Sequence, residues 1–186
     1  MPYELEERVI KGGEGLHEIV PYVTAAAKQL EKSGADFIVM PCNTLHLLAD
    51  HIQSSISIPF VSLVTETTEA VAQRKLQQVA MLATAVTRGE DLYNTQLTAA
   101  GITLLTPTAD QQKQLNAMVV RLTNDDPLAS DRTEFQAILA SLKARGAECA
   151  LLACTEFHLL YDPDPDLQAI DTVEVLAQAT VREMYA

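Results

Sequence analysis

The sequence predicts an α/β protein made of two pseudo-symmetric parallel-sheet lobes. Three observations carry this. First, one stretch occurs twice: residues 34–50 read GADFIVMPCNTLHLLAD and residues 146–162 read GAECALLACTEFHLLYD, with identity at Gly34/Gly146, Ala35/Ala147, Cys42/Cys154, His46/His158, Leu47/Leu159, Leu48/Leu160 and Asp50/Asp162. Second, short apolar runs bounded by turn residues alternate with helical periodicities, as strands buried between helices do. Third, 186 residues with 48% hydrophobic content suffice for the core of one large domain or two small ones.

The elements follow in order. Residues 3–10 are charged with Leu5, Val9 and Ile10 interspersed and read as a helix end, broken by Gly12 and Gly13. Leu16, Ile19, Val20, Val23, Ala27 and Leu30 keep a helical period up to Gly34, a C-terminal cap. Pro21 inside that pattern predicts a start or a kink there. Strands are expected at 36–41 and 59–63, with a helix over 44–53 between them and another over 65–73. Strands at 78–83 and 102–105 enclose a helix over 87–99. Helices over 109–122 and 130–145 precede a strand at 148–153. The DPDPD run at 162–166 is a loop, because two prolines exclude a helix. A strand at 167–170 and a helix over 172–184 close the chain. The repeat divides the chain into a first lobe over 1–64 and a second over 76–162. Residues 167–186 fit either lobe, including a return to the first.

A net charge of -12 argues against nucleic acid and anionic membranes as partners. No apolar run approaches the ~20 residues of a membrane span. The three cysteines are an odd number without disulfide-framework spacing, which predicts thiols in a reducing, cytoplasmic setting.

Cys42 and Cys154 each stand where a strand ends and a helix pattern begins, the sheet edge at which α/β proteins bind ligands. A helix N-terminus there favours thiolate. Asn43 and Thr44, and Thr155 and Glu156, supply polar groups beside the two thiols, able with the helix N-termini to hold a substrate carboxylate. Cys149, inside its strand and without a counterpart, reads as a core residue. Each copy also contains C-x3-H, so a Cys2His2 metal set is a competing reading, as is a redox pair, although no C-x-x-C is present. His46 and His158 equally read as capping or core histidines.

MPCNTLH at 40–46 and LLACTEFHLL at 151–160 resemble the paired cysteine signatures of the aspartate/glutamate/hydantoin racemase superfamily, closest to its aspartate racemase branch. MLAT at 81–84 and AIDTVEVLAQATV at 169–181 fit that branch. The resemblance implies a pyridoxal-independent amino-acid racemase that needs no cofactor or metal. It has two α/β lobes, a site in the cleft, aspartate or a related amino acid as substrate, and a homodimeric, cytoplasmic form. It makes Cys42 and Cys154 the catalytic acid and base and puts Asn43, Thr44, Thr84, Thr155 and Glu156 around the substrate. Related folds use such cysteines for isomerisation or decarboxylation, and a truncated, non-catalytic racemase-like protein is a further alternative. Two departures stand out. Ala153 replaces the usual glycine before the second cysteine. The family's opening strand and glycine-rich loop have no match, so the first lobe is expected to be N-terminally incomplete, with an exposed sheet edge that a partner copy covers.

Overall fold

The computed structural model describes Leu5, Arg8, Val9 and residues 14–186. The helix end read within 3–10 lies mostly outside the described residues, and the Gly12–Gly13 break lies wholly outside them. The chain then runs α1 (Leu16–Lys32), β1 (Ile38–Val39), a 3₁₀ turn (Thr44–Leu48), α2 (Ala49–Gln53), β2 (Phe60–Val61) and α3 (Leu63–Gln73). It continues with β3 (Gln78–Ala83), α4 (Ala85–Gly89), α5 (Asn94–Ala99), β4 (Thr103–Leu105), α6 (Ala109–Thr123) and α7 (Asp131–Ala144). Last come β5 (Cys149–Ala153), a second 3₁₀ turn (Phe157–Leu159), β6 (Ala169–Asp171) and α8 (Thr172–Met184).

All strand pairs are parallel. β1 pairs with β2 in one sheet, and the order β4-β3-β5-β6 makes the other. Strand β6 thus extends the second sheet, in register Leu151 to Ile170 beside β5, and α8 then packs on α3. The central pair β3 and β5 is apolar from Val79 and from Cys149 onward because it is covered on both sides, with Gln78 the polar first residue of β3. Val79, Met81, Cys149 and Leu151 face a core shared with Val71, Leu97 and Leu176. Ala80, Leu82, Ala150 and Leu152 face Leu115, Met118, Phe135 and Leu142 on α6 and α7. Successive residues point to opposite faces, so each strand locks two helix layers at once. The first lobe has two smaller clusters: Ala27, Ile38 and Ile52 with Phe60 and Ile58 alongside, and Leu5, Val9, Ile19 and Leu48.

The recurring glycines are explained by what ends the helices. Gly34 and Gly146 have φ of 91° and 101°. The amide of Ala35 bonds back to the Leu30 carbonyl (3.1 Å) and that of Ala147 to the Leu142 carbonyl (3.2 Å). This is the six-to-one bond of a Schellman turn, in which the left-handed residue is best a glycine.

Three expectations are corrected. The helix read over 87–99 is two helices. Asp91 turns to φ 56° and its carboxylate caps the amide of Thr95 (3.1 Å), which swings Tyr93 into the core, fully buried. The strand read at 36–41 keeps two residues, because the amide of Cys42 turns back onto the Met40 carbonyl (2.8 Å). Of the two readings at Pro21, the start is overturned, since α1 begins ahead of it at Leu16 behind Gly15.

Candidate active site

A cavity of about 110 Å³ lies where the C-terminal ends of β1, β3 and β5 converge. Cys42, Asn43 and Thr44 enter it from the loop after β1, Thr84 from the end of β3, and Cys154, Thr155 and Glu156 from the end of β5. All seven residues singled out in the sequence therefore line one cavity, with one cysteine contributed by each sheet. Cys149 does not line it; it sits in the opposite core layer.

The two cysteine loops are built differently from the helix starts expected in the sequence. After Cys42 the chain makes a 3₁₀ turn before α2; after Cys154 it makes only Phe157–Leu159 before the proline-rich loop. A short 3₁₀ turn carries little of the macrodipole that a long α-helix brings to its N-terminus, so the macrodipole brings Cys154 little of the expected thiolate-favouring field. At Cys154 the surroundings act in the other direction. Burial pushes its thiol well above the usual range, and the negative Glu156 carboxylate pushes further. The Sγ–H donates to Glu156 Oε2 at 3.0 Å, and the Thr155 hydroxyl donates to the same oxygen at 2.9 Å. Cys154 is held as a thiol. As a carboxylate Glu156 offers acceptors only, and in this structure it accepts from Cys154 and Thr155. None of the three cysteines is in a disulfide.

His46 is almost fully buried, and both ring nitrogens are used. Nδ1 lies 2.8 Å from the Cys42 carbonyl, and Nε2 accepts the Leu63 amide at 3.0 Å. An acceptor at Nε2 fixes the neutral tautomer with its proton on Nδ1, and burial accordingly lowers the ring's pKa. The histidine ties the first cysteine loop to the start of α3. His158 repeats half of this, with Nδ1 2.6 Å from the Thr155 carbonyl. The C-x3-H spacing thus staples the first loop, while in the second the histidine makes a local bond to the residue after the cysteine. Among the described residues no group of three or more His, Cys, Asp or Glu side chains is disposed to hold a metal ion.

Behind the cavity runs a polar relay that the sequence did not reveal. Asn43 Nδ2 donates to Thr172 Oγ1 (3.0 Å), Thr172 donates to the Leu152 carbonyl (3.0 Å), and the buried Tyr93 hydroxyl donates to Asn43 Oδ1. Asn43 therefore turns its side chain largely into the protein. A second cluster joins the lobes: Thr44 Oγ1 lies 2.9 Å from Thr87 Oγ1 and 3.3 Å from Thr84 Oγ1. Thr87 and Tyr93 are far from the cysteines in sequence and carry no motif, and Thr172, although it falls in the AIDT stretch at 169–172, is given no site role by the sequence.

The chain matches the Asp/Glu/Hydantoin racemase family over residues 7–180. It is 26% identical over 170 residues to the broad specificity amino-acid racemase RacX of Bacillus subtilis (strain 168), covering 91% of this chain and 74% of that protein. It is 29% identical over 184 residues to the glutamate racemase of Herpetosiphon aurantiacus, covering 94% and 70%. Among solved structures, the aspartate racemase of Picrophilus torridus superposes with a TM-score of 0.78 at 23% identity over 88% of this chain and 68% of that one. An aspartate racemase homologue from Pyrococcus horikoshii OT3 gives 0.77 at 24% identity over 97% and 80%. These structural likenesses speak for the fold. Together with a family match that runs nearly end to end, they establish that this chain belongs to the Asp/Glu/hydantoin racemase family.

Proposed function

We propose that the protein is a cofactor-independent amino-acid racemase in which Cys42 and Cys154 are the acid and base on opposite faces of a substrate Cα. The supporting observation is that the two sheets each deliver one cysteine to a single small cavity. Inverting a carbon centre takes a base on one face and an acid on the other, and that needs two groups from two sides. In the direction that starts from the thiol form of Cys154, Cys42 as thiolate removes the Cα proton. The Cys154 S–H then gives its proton to the opposite face. The step ends with a thiol at Cys42 and a thiolate at Cys154, from which the reverse reaction starts. The intermediate is a carbanion whose charge spreads into the substrate carboxylate, so donors at that carboxylate lower the barrier. Thr44, Thr84 and the backbone amides of the two cysteine loops are the groups at hand. The names of the relatives, an amino-acid racemase and a glutamate racemase, agree with this reading. A cytoplasmic setting would keep both thiols reduced. Tyr22 and Leu30, large apolar residues of α1 that stay 45% and 50% exposed, support a homodimer, checked by sedimentation at micromolar protein.

The test is incubation with a panel of amino acids in deuterium oxide, followed by NMR at Cα and chiral chromatography. Cys42→Ser and Cys154→Ser each abolish racemisation, because a hydroxyl is far too weak an acid or base at neutral pH. Cys149→Ser retains it. Full activity in the Cys42→Ser, Cys154→Ser double variant, or no exchange with any amino acid, ends the reading.

A further inference from the structure

We infer that the substrate side chain is uncharged and aliphatic, and that the cavity selects against the second carboxylate of aspartate or glutamate. This rests on the racemase reading and narrows its substrate. Apart from the cysteines and polar residues already named, the wall is made by Val9, Ile19, Leu45, Val119 and Ala153, with the exposed Thr123 at the mouth. Thr123 adds little polarity, since its hydroxyl donates to the Val119 carbonyl at 2.8 Å. Among the described residues no Lys, Arg or His lines the cavity.

The donors that do line it are already engaged. The Thr155 hydroxyl is spent on Glu156, and Thr44 and Thr84 bond within their own cluster with Thr87. Such hydroxyls and the loop amides can reorient onto one carboxylate, the one every amino acid carries. A second carboxylate would meet aliphatic walls and share the cavity with the Glu156 carboxylate. A buried charge with neither a partner nor hydrogen bonds is strongly disfavoured, whereas each methylene that fills an apolar pocket is worth ~10–200-fold in specificity. A cavity of about 110 Å³ also lies well under the ~300–1,000 Å³ of drug-sized sites, which favours short chains such as those of 2-aminobutyrate and norvaline.

The experiment has two independent readouts on the full chain: Cα deuterium exchange, and thermal stabilisation by each ligand, for 2-aminobutyrate, norvaline, aspartate and glutamate. The expected result is kcat/KM at least ~10-fold higher for the aliphatic amino acids than for aspartate, with the same order in stabilisation. Thr123→Lys, which puts a cation at the mouth on a flexible stem, should shift that ratio towards aspartate by ~10-fold or more. Aspartate or glutamate preferred by the wild type in either readout overturns the inference while leaving a racemase. Aliphatic amino acids that stabilise the protein but never exchange uphold the pocket assignment and sink the racemase reading. Neither exchange nor stabilisation by the aliphatic amino acids overturns both.

Discussion

The sulfur of Cys154 donates its proton to a carboxylate oxygen of Glu156 at 3.0 Å, so the second cysteine is buried against a negative charge two residues along the chain. Both the charge and the hydrogen bond stabilise the protonated thiol, and both raise its pKa on top of burial. Glu156→Gln removes the charge and keeps the shape. The thiol should become more acidic, though burial still holds it above an ordinary cysteine. Iodoacetamide reacts with thiolate only, so labelling of Cys154 followed by mass spectrometry across about pH 7–10 should run faster in the variant. An unchanged or slower rate would show that Glu156 does not control this proton.

His46 makes stability depend on pH. Its ring is neutral in the folded protein, and its pKa is lowered from 6.5 by burial. In the unfolded chain the same ring takes a proton near ~6.5. The unfolded state then binds more protons, so the contribution is present above about pH 6.5 and is lost as pH falls through the folded pKa. The slope approaches ~1.4 kcal/mol per pH unit. Urea unfolding between about pH 7 and pH 5.5 should show this fall in the wild type. In His46→Gln it should be largely flat, from a baseline lower by ~1–3 kcal/mol because the buried Leu63 amide loses its acceptor. Equal slopes in the two proteins would refute the assignment.

What the sequence revealed, and what it hid, follows from the range of the forces involved. The runs at 78–83 and 148–153 are legible because, past the polar first residues Gln78 and Glu148, a strand buried on both faces is apolar at every position. Cys42, Cys154 and their neighbours are legible because the chain repeats them. The break at Asp91 was hidden: no proline stands between Ala85 and Ala99, Gly89 alone is a weak signal, and the turn that seats Tyr93 beside Asn43 serves a contact fifty positions away. Glu156 was legible as a site residue but not as a thiol partner, since that depends on a turn too short to form a helix. The aliphatic wall from Ile19 and Val119 reads in sequence only as the buried face of two amphipathic helices.

Tyr93 should matter to stability and to the reaction together. Its hydroxyl is fully buried and donates to Asn43 Oδ1, beside Cys42. Tyr93→Phe deletes one oxygen and leaves the amide oxygen of Asn43 unpaired in the interior, a cost of ~1–3 kcal/mol. Because Asn43 also holds Thr172, the loop carrying Cys42 loses one of its two anchors on that side. Racemisation should drop mainly in kcat, with KM little changed, if the residue positions the cysteine. A stable variant with wild-type kcat would confine Tyr93 to packing.

The paired glycines allow a comparison within one molecule. Gly34 and Gly146 close equivalent turns with φ of 91° and 101°, a conformation that costs any residue with a Cβ ~1–2 kcal/mol. At Gly34 a Cβ would meet nothing within 4 Å, whereas at Gly146 it would come within 3.1 Å of Gln78 Oε1. Gln78 opens β3 beside β5, and although its amide end can swing away, it does so at the start of the central sheet. Gly34→Ala should therefore lower the melting temperature by ~2–8 °C, at ~2–4 °C per kcal/mol for a chain of this size. Gly146→Ala should lower it by more. Gly89 serves as control: it ends α4, where a Cβ also finds open space, so Gly89→Ala should be neutral or stabilising by up to ~1 kcal/mol. Differential scanning calorimetry of the three variants reads the order directly, and a Gly146→Ala protein as stable as Gly89→Ala would contradict the shared turn.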